Sequence, residues 1–448
     1  MVFKLNEEKI LEAIEPEEVI SLCQKLIQTD SINPPGNEAN VARVIRDFLK
    51  ENKIDCEIYD MGNNRANLLT VLKGSGDKKL LLNGHMDVVP IEHEELWKVP
   101  PLSATIKRKR IIGRGAADMK GGLAAMIIAF TVLKRLEYPL NGNLILNCVC
   151  DEETLGSIGT EWCIKNLADK MRADAVIVGE PSGLDPLPKG ILIGEKGRME
   201  INIKTHGIAC HAGMPSLGVN PIEILNKILS NMSKLDDYLP QIRPPFSKEE
   251  LKLMLQEGFS SKEVFERIYK EQPILESLIN SLCNYTYAIT KINAGIKENV
   301  VPSECNSIFD FRLIPGQKPE YLVNALKNLI SDLGYKIKDS TKSIKNEVFV
   351  EIKINSMSEP SIIDKMDYEL ISILYESYRE IYGKTPFKFL MPATTDARFF
   401  RNSGFCKQVV VFGPGNATRA HGINENIEIR DLVNATKTYA ITAARFLS

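Results

Sequence analysis

The chain has 448 residues, 44% hydrophobic and 25% charged, with a formal net charge of −2. That length exceeds one ordinary domain, so two domains are expected. The near-neutral balance lacks the basic excess of nucleic-acid-binding proteins.

Six glutamates, Glu7, Glu8, Glu12, Glu15, Glu17 and Glu18, fall where a secretory leader would be basic and then apolar. Apolar spacing predicts helices over 17–29 and 38–52, then short strands over 67–72 and 79–83. Lys107-Arg108-Lys109-Arg110 reads as a solvated turn. A helix opened by Gly121-Gly122 is expected over 118–136; its apolar stretch, 123–133, is too short to span a bilayer and belongs in a core. A strand over 143–150, a helix over 158–167 and a strand over 173–178 continue the alternation. Such a pattern implies an α/β sheet with its strands covered on both faces. Nine cysteines without a Cys-x-x-Cys pair read as reduced thiols of a cytoplasmic protein.

The pattern changes near Gly197. Strand 198–205, helix 220–235, strands 285–292 and 305–313, helix 320–333 and strand 348–355 follow the order of a ferredoxin-like sandwich. Within it, residues 236–284 carry two capping-box patterns, Ser247-x-x-Glu250 and Ser260-x-x-Glu263, which predict two short helices. This segment reads as a surface extension of the small domain, with a lid or interface role as the sharper alternative. Helices over 365–382 and 396–402, a strand over 407–412 and a helix over 429–446 then resume the first pattern. The small domain, 197–356, is therefore inserted into a large one made of 1–196 and 357–448.

Three of the five histidines, His85, His211 and His421, sit in motifs that read as parts of one site, with Asp118, Glu152, Glu153 and Glu180 between them. Imidazoles and carboxylates without cysteine suit zinc, cobalt or manganese in a hydrolytic site. Several of these residues follow the carboxyl ends of apolar strands, where ligands gather in open α/β sheets. Asp87, two residues beyond His85, can accept the ring N–H that His85 does not give to a metal. Asp118, after Gly113-Arg114-Gly115, is the natural bridge between two cations. Of the adjacent Glu152 and Glu153, one binds metal and the other carries a proton, and the residues alone leave open which. His211, among small residues, can stabilise an oxyanion. His93 and His206 read as structural or exposed.

Gly84-His85-Met86-Asp87-Val88-Val89-Pro90, Gly113-Arg114-Gly115-Ala116-Ala117-Asp118-Met119-Lys120-Gly121-Gly122, Asp151-Glu152-Glu153, Gly179-Glu180-Pro181, His211-Ala212-Gly213 and Ala420-His421-Gly422 together resemble the M20 metallopeptidase family. That family includes acetylornithine deacetylase, succinyl-diaminopimelate desuccinylase, aminoacylases and related carboxypeptidases. The resemblance runs in order over nearly the whole chain. It implies a zinc-peptidase-like α/β catalytic domain with an inserted ferredoxin-like α+β lid and dimerisation domain. It also implies two zinc ions per subunit, with cobalt or manganese able to substitute. Asp118 would bridge them, His85 and Glu180 would complete one site, and Glu153 and His421 the other. Glu152 would be the general base and Asp87 the orienter of His85. His211 would reach the active site of a partner subunit in a homodimer. Arg312, in Asp310-Phe311-Arg312-Leu313-Ile314-Pro315-Gly316, corresponds to a family arginine that binds the substrate carboxylate. Asn299, before Val300-Val301-Pro302, corresponds to an asparagine near the scissile carbonyl. Ala393-Thr394-Thr395-Asp396-Ala397-Arg398-Phe399 resembles a stretch of the desuccinylase and deacetylase branch, which makes Thr395 a substrate-binding candidate. Thr394 or Thr395 opening the next helix accounts for the same residues.

The implied function is cleavage of the N-acyl amide bond of an N-acyl amino acid, with the metal pair supplying the attacking hydroxide and Glu152 shuttling the proton. A dipeptidase or carboxypeptidase acting on short peptides is the alternative within the family. A non-catalytic amino-acid-binding relative is the alternative outside catalysis. The partners implied are the small-molecule substrate and a second copy of the chain, with no nucleic acid and no membrane.

Overall fold

The structure is a computed structural model and describes residues 5–185, 187, 189–338 and 347–448. A nine-stranded mixed sheet forms its centre. In order across it lie Glu57–Gly62, Arg65–Leu72, Asn143–Val149, Lys79–His85, Ala175–Val178, Gln408–Val411, Gly190–Glu195 and Ser361–Ile362, with Phe387–Met391 also paired to Gly190–Glu195. Lys79–His85 runs parallel to Asn143–Val149 on one side and to Ala175–Val178 on the other, and Gln408–Val411 extends the parallel set. These strands are runs of Leu, Ile and Val buried on both sides of the pleat. Each such buried side chain contributes roughly 1.5–3 kcal/mol of burial free energy.

Helix Lys120–Arg135 is buried from Lys120 to Leu133. It packs against Lys79–His85 and Asn143–Val149 and also against helices Pro16–Gln28 and Ile429–Phe446. Contact on every side explains why it is apolar all round rather than striped. A Cβ on Gly122 would lie 2.1 Å from the Gly179 carbonyl oxygen, so glycine lets the start of this helix touch the strand end that carries Glu180. The basic run forms the turn of the hairpin Thr105–Lys107 and Arg110–Ile112, with Arg108 and Lys109 at positive φ and exposed.

The second sheet is antiparallel, in the order Thr286–Ala294, Glu304–Leu313, Gly197–His206, Phe349–Ser358. With helices Pro221–Leu229 and Pro319–Asp332 it makes the expected ferredoxin-like unit. Gly197–His206 alternates buried and half-buried residues. Met199, Ile201 and Ile203 meet Phe309, Phe311, Leu322 and Leu326 in a core separate from that of the large sheet. The fold is thus an α/β domain carrying an inserted α+β domain. The helix expected over 220–235 divides, because Pro221–Leu229 ends at Ser230 and a tighter 3-10 segment, Met232–Tyr238, follows.

The segment read as a surface extension of the small domain behaves differently. It forms three helices, Lys248–Glu257, Lys262–Glu271 and Pro273–Cys283. Ser247 and Glu250 make the full capping box, while the second cap is Ser261 rather than Ser260. The third helix starts at a proline without a side-chain cap, so no capping pattern announces it. Leu251, Leu255, Phe265, Leu275, Ile279 and Leu282 are buried in the core of the large domain. Helix Lys248–Glu257 lies against strand Phe387–Met391. The apolar stripes of this segment therefore find their buried area on the large domain.

Lys196 marks the passage of the chain from one domain to the other. Its buried ammonium donates to the carbonyls of Ser281 and Asn284 at 2.7 and 2.9 Å and to the Thr286 hydroxyl at 3.1 Å. Burial, with Arg312 nearby, holds its pKa down to about 8.

Candidate metal centre

Neighbouring parallel strands deliver the candidate residues to one edge of the sheet. His85 ends its strand, Glu152 and Glu153 follow Asn143–Val149, and Glu180 follows Ala175–Val178. The loop after Gln408–Val411 leads through Gly413-Pro414-Gly415 to His421. Asp118 comes from the loop before helix Lys120–Arg135, with a cis peptide bond to Met119.

Asp118 Oδ1 lies 3.0 Å from His85 Nε2, and Asp118 Oδ2 lies 3.1 Å from His421 Nε2. Glu180 Oε1 is 3.4 Å from the same His85 nitrogen, and Glu153 Oε2 is 3.1 Å from the same His421 nitrogen. One carboxylate thus offers an oxygen to each of two imidazole–carboxylate groups, the arrangement a bridging ligand needs. Donor atoms of His85, Glu152 and Glu180 fall within 4.8 Å of one another, as do those of His85, Asp118 and Glu153.

These residues fit a metal on their own chemistry. Among the described residues Glu153 Oε1 is buried with no hydrogen-bond partner, a costly state for a carboxylate oxygen that a cation would relieve. The donors are oxygens and imidazole nitrogens, a set that suits zinc, manganese or cobalt.

The electrostatics point the same way. Burial, then Glu180, push the Glu152 carboxyl well above the usual range. Burial and Asp118 push Glu180 up to about 8 and Glu153 up to about 7. Burial works against a charged His421, but Asp118 and Glu153 outweigh it and raise the ring to about 11. Burial would raise Asp118 too, yet its bonds to His421 and His85 hold it far below the carboxylate range. Such a site is short of positive charge.

Asp87 is fully buried, and its side chain is used differently from the expectation. His85 Nδ1 lies 2.9 Å from the Asp87 backbone carbonyl and 3.4 Å from its carboxylate, so the backbone is the nearer acceptor. The carboxylate takes the backbone N–H groups of Glu152 and Glu153 at 3.2 and 3.1 Å and the side-chain amide of Asn33 at 2.8 Å. Asn33 also donates to the Thr154 hydroxyl at 3.0 Å. Sequence reading misses Asn33, because an asparagine before two prolines looks like an ordinary turn.

The other candidates have their partners outside this cluster. His211 pairs with Val300 in a two-residue ladder, and the Ala212 N–H donates to the Asn299 carbonyl at 2.9 Å. His211 and Asn299 are exposed and adjoin each other. Arg312 is paired with Asp310 at 2.6 Å on the small-domain sheet. Thr395 is buried; its hydroxyl bonds to Glu195 and accepts the Ala397 N–H at 3.2 Å, but the residue that opens helix Ala397–Asn402 is Asp396, not Thr394 or Thr395 as the helix-opening reading expects. His93 is exposed beside Glu95, and His206 stacks on Phe349 at 4.1 Å, both as expected.

A sequence profile of the peptidase family M20/M25/M40 matches residues 81–445. The chain belongs to this family. A succinyl-diaminopimelate desuccinylase of Hydrogenovibrio crunogenus is 29% identical over 435 residues, covering 96% of this chain and 99% of that one. Among solved structures, the M20 family metallo-carboxypeptidase Sso-CP2 of Sulfolobus solfataricus superposes with a TM-score of 0.77 at 23% identity, covering 96% of this chain and 99% of that one. Human carnosine dipeptidase 1 gives 0.76 at 18% identity, with 99% of each chain covered. The M20 fold, with its inserted domain, is therefore the fold of this protein. The protein is an M20 hydrolase of a metal-dependent family, and its His, Asp and Glu cluster is consistent with that chemistry. No helix among the described residues is long and apolar enough to cross a membrane.

Proposed function

We propose that this M20 enzyme is a cytoplasmic dizinc amidohydrolase that removes the acyl group from an N-acyl amino acid, of the acetylornithine or succinyl-diaminopimelate type. The observation that carries the reading is Asp118 facing both His85 and His421, with Glu152 beside the His85 group. His85 and Glu180 would hold one cation, Glu153 and His421 the other, and Asp118 both. When bound, the cation pair polarises the scissile carbonyl and supplies a water-derived nucleophile at neutral pH. Glu152 takes a proton and returns it to the leaving nitrogen, a role suited to a carboxyl whose burial strengthens its hold on protons. The nine cysteines, all free among the described residues, accord with a reducing compartment.

His211 Nδ1 accepts the Gly213 N–H at 3.0 Å, which leaves Nε2 as the donor of a neutral ring. Such a donor can hold a carbonyl oxygen, and its exposure supports delivery to a partner subunit. The homodimer reading is supported by the exposed edge strand Thr286–Ala294, whose Tyr287, Ile289 and Ile292 are open to solvent. Arg312, once shared between Asp310 and a substrate, would hold the amino-acid carboxylate.

The second reading is a dipeptidase or carboxypeptidase, because Arg312 would serve a peptide carboxylate equally well. One panel separates them: acetylornithine, succinyl-diaminopimelate, other acyl-amino acids and dipeptides, each with zinc, cobalt or manganese returned after chelation. Turnover confined to dipeptides would overturn the deacylase reading.

A further inference from the structure

Beneath the cluster lies a buried ion pair that none of these steps uses. Glu425 Oε1 accepts two successive backbone N–H groups, from Ala117 at 2.9 Å and Asp118 at 3.0 Å. Its Oε2 accepts from Arg114 at 2.7 Å. Arg114 in turn donates to the backbone carbonyls of His421 at 3.2 Å, Pro90 at 3.4 Å and Gly422 at 3.5 Å. The two side chains are 2% and 0% exposed, and the Trp97 ring lies 5.4 Å from the guanidinium.

Glu425 therefore grips the backbone of the loop that carries Asp118, while Arg114 grips the backbone of the loop that carries His421. His421 has φ +61°, a left-handed conformation that a non-glycine residue keeps only when its surroundings hold it. Arg114 is part of what holds it. The two loops meet at the His421–Asp118 and His421–Glu153 contacts, both 3.1 Å. The His85–Glu180 side is built differently, from residues at the ends of two directly paired sheet strands.

We propose that Arg114 and Glu425 are positioning residues that set the spacing of Asp118 and His421, and so the affinity of the cation held by Asp118, Glu153 and His421. This rests on the two-cation reading above. A general stabilising pair would weaken folding without favouring one cation over the other. A positioning pair loosens most the cation that Asp118 and His421 share, and reaches the His85–Glu180 cation only through the common ligand Asp118.

The test uses the full chain, stripped by chelation and titrated with zinc by calorimetry, with bound metal counted by elemental analysis. Glu425→Gln keeps the volume and an acceptor for both N–H groups, but turns an amide towards Arg114. Glu425→Asp keeps the charge and shortens the reach, and serves if the first variant does not fold. The wild type should take up two cations. Either variant should bind one cation roughly 10–100-fold more weakly, the usual effect of removing a partner that orients a ligand, and the other, which shares only Asp118, by a clearly smaller factor. Folded variants that keep both affinities, or weaken both equally, overturn the positioning role. A wild type that binds fewer than two cations overturns the two-cation reading itself.

Discussion

The carboxylate of Asp87 accepts the backbone N–H of Glu153 at 3.1 Å. The same side chain takes the Glu152 N–H at 3.2 Å, while the Asp87 backbone carbonyl lies 2.9 Å from the His85 ring. A single residue thus fixes the imidazole on one strand end and the acidic turn on the next. Asp87→Asn would turn an amide N–H group towards one of these donors. Metal affinity or turnover should fall roughly 10–100-fold. Zinc titration and kcat measured side by side check this, and a variant with wild-type values for both would remove Asp87 from the site.

Glu152→Gln should bind metal as the wild type does and lose roughly 10²–10⁴-fold in kcat, the usual contribution of a positioned acid or base. Elemental analysis and kcat on the same preparation test it. Full activity in a metal-loaded sample would mean that another group carries the proton.

His421→Ala should lower the bound metal by one cation per chain, since the His421 ring faces Asp118 and Glu153. His85→Ala should be more damaging, because His85 belongs to both groups of converging donors and its side chain is fully buried, whereas that of His421 is 52% exposed. Unchanged stoichiometry in His421→Ala would strike it from the ligand set.

In the cation-free protein, Glu153 is raised from 4.5 to about 7 and Glu180 from 4.5 to about 8. An acid with a raised folded-state pKa binds more protons when folded, so its stabilising effect is full at low pH and is lost as pH rises through that window. His421, raised from 6.5 to about 11, acts in the same direction at higher pH. The chelated protein should therefore melt at a lower temperature near about pH 8 than near about pH 5. Zinc affinity should rise over the same interval, because binding must expel protons. Thermal scans with and without zinc at both pH values test this; a chelated protein more stable at the higher pH would contradict it.

Leu255→Ala and Phe265→Ala should each cost about 2–5 kcal/mol, as core truncations do. Both side chains are fully buried in the large-domain cluster. Denaturant unfolding gives the number, and a loss below about 0.5 kcal/mol would return the segment to the status of a surface extension.

Much of this site is legible in the sequence because its residues follow apolar strands. His85 and Glu180 stand out for that reason, and the inserted domain is visible in the alternation of Met199, Ile201 and Ile203. The Arg114–Glu425 pair is not visible, because 311 positions separate its members and neither lies in a periodic pattern. Strand Gly190–Glu195 escapes notice for a related cause. It is flanked by Lys189 and Lys196, whose polarity suggests exposure, yet both are buried against backbone carbonyls. Helix stripes in 248–283 are readable, but a stripe does not say which of two cores will receive it.

The helices that follow the small domain's first helix and lie against the large sheet have a mechanical effect. Two passages of chain, at Gly197 and beside Ser358, lie so close that a Cβ on Gly197 would meet the Ser358 carbonyl oxygen at 2.5 Å. Such a pair alone would act as a free pivot. The anchored helices add a third attachment away from that axis, and the Lys196 ammonium ties the passage itself to the end of the third helix. A swing of the small domain must therefore strain its links to these helices or uncover apolar area at Leu251, Leu255 and Leu282, so packing restrains it.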